Sequence, residues 1–143
     1  MDIKFLDTKS AAERGLTFTV KQPESGEDTD VKISVIGAGS RVHKEALREY
    51  QRAADAIKKE FEGKEDTIEA EDAYNLVLAR FVAKCTKGWS GLTSEGEPLP
   101  FSEEAAINLY LCSPDTLSQV ITQIGNLQEM LGKPKASLKS SAK

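Results

Sequence analysis

Apolar and polar residues alternate over Leu16-Thr17-Phe18-Thr19-Val20 and again over Val31-Lys32-Ile33-Ser34-Val35-Ile36. That period of two is the mark of strands with one buried face. Residues 21–30 between them are polar and contain Pro23 and Gly26, so the pair reads as a β-hairpin with a long loop. Two strands are marginal alone and must lean on helices. From Ser40 the period lengthens. Val42, Ala46, Tyr50, Ala53, Ile57 and Phe61 share one face of a helix over 40–62, capped by Ser40 and stopped by Gly63. A second helix is predicted over 67–87. Its stripe is Tyr74, Val77, Leu78, Phe81, Val82 and Cys85, widened by Leu76, Ala79 and Ala83, which marks it as the central, most buried helix. Gly88 stands where its C-terminal cap belongs. Residues 88–100 read as a loop. Ser102 caps a third helix that ends near Cys112, and Ser113-Pro114-Asp115 starts a fourth. The fourth carries Leu117, Val120, Ile121, Ile124, Leu127 and Leu131 at helical spacing and stops at Gly132. Near the start, Ser10-Ala11-Ala12-Glu13 has capping-box spacing before Gly15, which predicts one short helical turn.

The expected architecture is therefore mostly α within the α+β class. It is a four-helix domain over 1–131 with a small N-terminal hairpin at about 16–36, followed by a flexible basic tail at 132–143. The tail is inferred from composition, since residues 132–143 carry four lysines, no acid and one proline. With 143 residues there is room for one modest core.

Charge adds a feature that hydropathy does not. Residues 88–131 contain no Lys or Arg but have Glu95, Glu97, Glu103, Glu104, Asp115 and Glu129. On the first long helix, Arg41, Lys44, Arg48, Arg52 and Lys59 line the face opposite the apolar stripe. Such a ridge is either a solvated face or a contact surface for an acidic partner or phosphates. The net charge of −4 speaks against nucleic acid and anionic membrane as partners. No apolar run reaches the ~18 residues of a membrane helix, and Met1-Asp2-Ile3-Lys4 lacks the layout of a signal peptide.

Chemistry-bearing residues are sparse. Two cysteines and one histidine fall short of the usual zinc ligand set, so no metal or cofactor is expected. Cys85 and Cys112 lie on apolar-periodic helices and read as buried, unreactive thiols. His43 falls at the edge of an apolar face, in a packing or surface role. Gly37-Ala38-Gly39-Ser40 follows a predicted strand, yet position 42 is Val and no second βαβ unit follows. A tight strand-to-helix turn is the better reading than a dinucleotide loop. Nothing supplies a nucleophile, base and orienting group together, so an enzyme is not expected. Trp89, the lone tryptophan, is either a plug at the end of the helical core or a binding hot spot.

One stretch carries a resemblance. Gly88-Trp89-Ser90-Gly91-Leu92 leads through Gly96 to Pro98-Leu99-Pro100-Phe101-Ser102-Glu103-Glu104-Ala105-Ala106, then Ser113-Pro114-Asp115-Thr116-Leu117 and Gln119-Val120-Ile121. Preceded by Val35-Ile36-Gly37 and Ser40-Arg41, this resembles the tail assembly chaperones of long-tailed bacteriophages and prophages, departing at Ala105, where Asn is commoner. The resemblance spans roughly residues 31 to 131. It implies a non-enzymatic protein that coats the long, helical tape measure protein. Such a chaperone keeps that client soluble in the host cytoplasm while tail tube subunits polymerise, and it is absent from the mature virion. The tape measure protein is the implied partner, with the tail tube subunit and further copies of the chain beside it. The candidate contact residues are Arg41, Lys44, Arg48, Arg52, Trp89, Phe101, Leu117, Ile121 and Ile124. The alternative in the same setting is a structural or completion component of the tail.

Overall fold

Residues 1–131 are described by a computed structural model; the basic tail expected at 132–143 lies outside the described residues. A single 3-10 turn at Ile3–Leu6 precedes α1, Thr8–Arg14. The cap of α1 is Asp7, whose carboxylate accepts from the Ser10 amide at 2.9 Å. The capping box expected at Ser10 is thus displaced by one turn, because a charged acceptor three residues upstream is the stronger partner for that amide. Gly15 ends the helix with φ 69° and ψ −154°, backbone that only glycine adopts without strain. A Cβ there would also collide with the Val35 carbonyl, so the chain turns into the sheet hard against its neighbour.

The sheet has three antiparallel strands in the order β1, β2, β3: Leu16–Lys21, Asp28–Val35 and Thr86–Ser90. The register places Phe18 opposite Ile33 and Ile33 opposite Trp89. The N-terminal hairpin stands as predicted, with a shorter loop. The third strand corrects the sequence reading. The central helix ends at Lys84, and Gly88 sits in β3 opposite Ser34 rather than capping a helix. Thr86-Lys87-Gly88-Trp89-Ser90 has no clean alternation, and its pairing is with residues more than fifty positions away. Strand character here is conferred by the partner strand. Part of the expected loop is a second small ladder, β4 at Thr93–Ser94 and β5 at Glu97–Pro98.

Four further helices complete the described chain: α2, Arg41–Glu60; α3, Ile68–Lys84; α4, Glu103–Cys112; and α5, Pro114–Ile124. The predicted caps Ser40, Ser102 and Ser113 hold, and Thr67 caps α3 as well. The hydroxyls of Ser40, Thr67, Ser102 and Ser113 accept from the amides of His43, Ala70, Ala105 and Thr116. The fourth predicted helix does not run through to 131. It breaks at Gly125-Asn126, and a separate turn, α6 at Leu127–Met130, is capped by Asn126. The break swings Met130 onto the N-terminal region. Its sulfur and the Ala12 backbone occupy the space a Cβ on Gly37 would need, and its carbonyl accepts from the Arg14 guanidinium at 3.3 Å. Among the described residues the α+β domain therefore has six helices, not four, and a three-stranded sheet with an added hairpin.

The core lies between the inner face of the sheet and the helices. Ile33, Val35, Val82, Cys85, Tyr110 and Val120 are fully buried there. Each such side chain contributes about 1.5–3 kcal/mol of transfer free energy. As its stripe predicts, α3 is central and packs against α2, α4 and α5. Its buried end also carries a polar relay. Thr86 donates its one hydroxyl hydrogen to the Val82 carbonyl at 2.8 Å, so the Tyr110 hydroxyl, 2.7 Å away, must donate to Thr86. Among the described residues no buried side-chain nitrogen or oxygen lacks a partner.

Candidate interaction site

The candidate residues fall on three separate surfaces. Arg41, Lys44, Arg48 and Arg52 are exposed along α2, because the apolar stripe of that helix turns the opposite face to α3. Only Arg41 is visibly engaged: its side chain reaches Glu45 at 3.4 Å, and its amide donates to Glu13 of α1 at 2.8 Å. Along the α2 flank that faces α3, Lys84 joins three helices, with Glu49 at 3.1 Å and Glu103 at 3.9 Å. The hydrogen bond that the Lys84 ammonium donates to Glu49, foremost, holds its pKa above the ordinary range. Nothing in the sequence pattern pairs these three residues, since each lies on a different helix.

Trp89 and Phe101 meet edge to face, with ring centroids 5.0 Å apart. The indole N–H donates to the Leu99 carbonyl at 2.9 Å. Both rings are half-buried against the main core. The tryptophan therefore fastens the Pro98–Phe101 segment to the sheet rather than ending a helical bundle. Phe101 also closes one end of a cleft of about 230 Å³ between α2 and α3, together with Val42 and Lys84.

The third group divides by burial. Ile121 is 41% exposed and Ile124 only 5%, with the Ile124 carbonyl accepting from the Ala38 amide at 2.9 Å. Ile124 is thus a core residue that anchors the turn before α2. Leu117 packs partly on the core and faces a groove of about 670 Å³ between the first half of α3 and the junction of α4 with α5. Leu76 and Leu111 share that groove with it, and Glu71 and Asp72 stand on its rim. Leu76 belongs to the widened apolar surface expected of this helix, and Glu71 and Asp72 stand near its N-terminus, where the helix dipole favours acids. That α4 ends beside them is a tertiary fact.

Cys85 is buried, and desolvation pushes its thiol up to about 12. Cys112 departs from the expectation of burial: it is exposed, because it is the last residue of α4 and points away from α3. His43 packs edge-on to Phe81 at 5.5 Å, and partial burial lowers its pKa. Among the described residues, no group of three or more His, Cys, Asp or Glu is placed to hold a metal ion, and no helix is long and apolar enough to cross a membrane.

Comparison of the chain with protein-family models, curated proteins and solved structures finds no match. What the fold and surfaces define is a class. It is a small α+β domain with one apolar core that encloses the hydrogen-bonded Thr86–Tyr110 pair, a cationic helix face and an apolar groove with an acidic rim.

Proposed function

We propose that the chain is a phage tail assembly chaperone that binds the tape measure protein and keeps it soluble during tail tube polymerisation. The observation that carries this reading is the segment Gly88-Trp89-Ser90-Gly91-Leu92 to Pro98-Leu99-Pro100-Phe101-Ser102-Glu103, which resembles that family over its most distinctive stretch. The way the segment is used in the fold supports it. Its tryptophan and phenylalanine meet edge to face, its Leu99 carbonyl is tied to the Trp89 indole, and its serine caps α4. These residues form one structural unit, so their order along the chain is under a physical constraint. An exposed cationic face and an exposed apolar groove on opposite helices support a protein that works by contact. The reading places it in the host cytoplasm, outside the finished virion and without an enzymatic role. The tape measure protein is its client, and the tail tube subunit and further copies of itself are secondary partners.

The test is co-expression of the chain with the tape measure protein encoded beside it. The expected outcome is client in the soluble fraction only when the chain is present, and the chain missing from purified particles. Client that is equally soluble without the chain would end this reading. Finding the chain in stoichiometric amounts in particles would favour a structural tail component instead.

A further inference from the structure

The geometry points to the groove between α3 and the α4–α5 junction as the seat of an amphipathic helix that carries lysine or arginine beside its apolar stripe. The inference rests on the client-binding reading for the idea that a helix is bound; the groove itself stands on its own observations. Its walls are Leu76, Leu111, Pro114 and Leu117. Leu111 is 42% exposed although it sits between buried Tyr110 and the end of α4. One turn before Asp72, Ile68 is 73% exposed and continues the same line along α3. Apolar surface open to water, here Leu111 on the groove wall with Ile68 beyond Asp72, is what a docking site presents. About 670 Å³ accommodates several side chains of leucine size, as an i, i+3/i+4, i+7 stripe requires.

The rim selects the charge. Glu71 and Asp72 line the groove, and its lining contains no cation. Among the described residues neither acid forms an ion pair. The α4–α5 wall belongs to the 88–131 region, which has no Lys or Arg. A helix flanked by acids meets two carboxylates that form no ion pair among the described residues, whereas one flanked by lysines pairs with them. Like-charge contacts discriminate strongly at such an edge.

The experiment uses the isotope-labelled full chain and two synthetic peptides of about fourteen residues, long enough for four helical turns. Both carry the same leucine stripe; one has lysine flanks and the other glutamate flanks. The lysine peptide is expected to move the amide resonances of Leu76, Leu111 and Leu117, and to bind about tenfold more tightly than the glutamate peptide at low salt. Leu111→Asp should weaken it about tenfold or more. The double variant Glu71→Lys, Asp72→Lys changes only exposed residues and should invert the preference, which keeps the test valid if Leu111→Asp folds poorly. Equal affinity for the two peptides, shifts centred on the α2 ridge, or no saturable binding up to about 1 mM would each overturn the inference. Groove resonances that move with protein concentration alone at high salt, where charge-driven association of copies is screened, would overturn it as well, because the occupant would then be apolar surface of a second copy, for instance its exposed Ile3–Leu6 segment. The two readings fail separately. If wild type and Leu111→Asp rescue client solubility equally, the groove is wrong and the chaperone stands. If the peptides behave as expected but the client stays insoluble, the groove stands and the chaperone does not.

Discussion

Trp89 illustrates how a residue's role depends on a hydrogen bond as much as on burial. Its ring is shared between the sheet and Phe101, and its N–H is used on Leu99. Trp89→Ala removes all three contacts, so a loss of about 3 kcal/mol is expected, read from the shift of a denaturant midpoint. The cysteines give a sharper contrast. With its thiol pushed to about 12 and no exposure, Cys85 carries almost no thiolate at about pH 8. A thiol reagent should therefore modify only Cys112 in the native protein and both residues after denaturation; two fast-reacting thiols under native conditions would contradict the placement of Cys85. For His43 the sign follows from linkage. Burial lowers its folded pKa below the unfolded value, so the unfolded chain binds the extra proton. Stability is complete above about pH 6.5 and falls as pH drops towards the folded pKa. Melting temperatures of wild type should fall more between about pH 7.5 and pH 5.5 than those of His43→Gln, and equal slopes would show that the imidazole is not desolvated.

At the scale of elements, the joints decide more than the helices do. Gly15 joins α1 to β1 at a conformation closed to other residues and beneath the Val35 carbonyl. Gly15→Ala is expected to cost about 2–4 kcal/mol in a thermal or denaturant melt, against a few tenths for an alanine at Gly88, which has open space and ordinary backbone. The free edge of β1 is held by α5. Gln119 accepts from the Lys21 amide and donates to the Lys21 carbonyl, each at 2.9 Å, in place of another strand. Gln119→Ala should lower stability by about 1 kcal/mol and raise hydrogen exchange at the Lys21 amide specifically. Exchange unchanged at Lys21 would mean that the clip does not form. These joints also explain where sequence reading stopped. Caps are local, so Ser40, Ser102 and Ser113 were legible. By contrast, β3 exists only because β2 offers it a ladder, and the α5–α6 break matters only because Met130 has a place to go beside Gly37.

The whole molecule separates its charges. The cationic face of α2 and the cation-free 88–131 region lie on one small domain, an arrangement that favours association between copies at low ionic strength. Screening acts within about 8–10 Å at physiological salt. Light scattering should accordingly detect oligomers at low salt that dissociate as salt rises, and Arg48→Glu with Arg52→Glu should weaken them. Oligomers indifferent to salt and to these reversals would place the contact on apolar surface such as Ile121, and a strict monomer would remove self-association from the proposed function.

Local chemistry was enough to determine the starts of α2 to α5, the N-terminal hairpin, the central position of α3 and the cationic ridge, because each follows from spacing within a few turns or from one side chain next to one amide. The tertiary structure alone decided which of the apolar residues face water. Ile121 and Ile124 belong to the same helical stripe, yet one is open and the other is sealed against the turn before α2. Leu111 and Leu76 meet across two helices that no periodicity relates, and the acids beside them acquire a rim only once α4 ends there. Burial and proximity between distant segments depend on how elements pack, and a pattern along one chain records only the face each element offers.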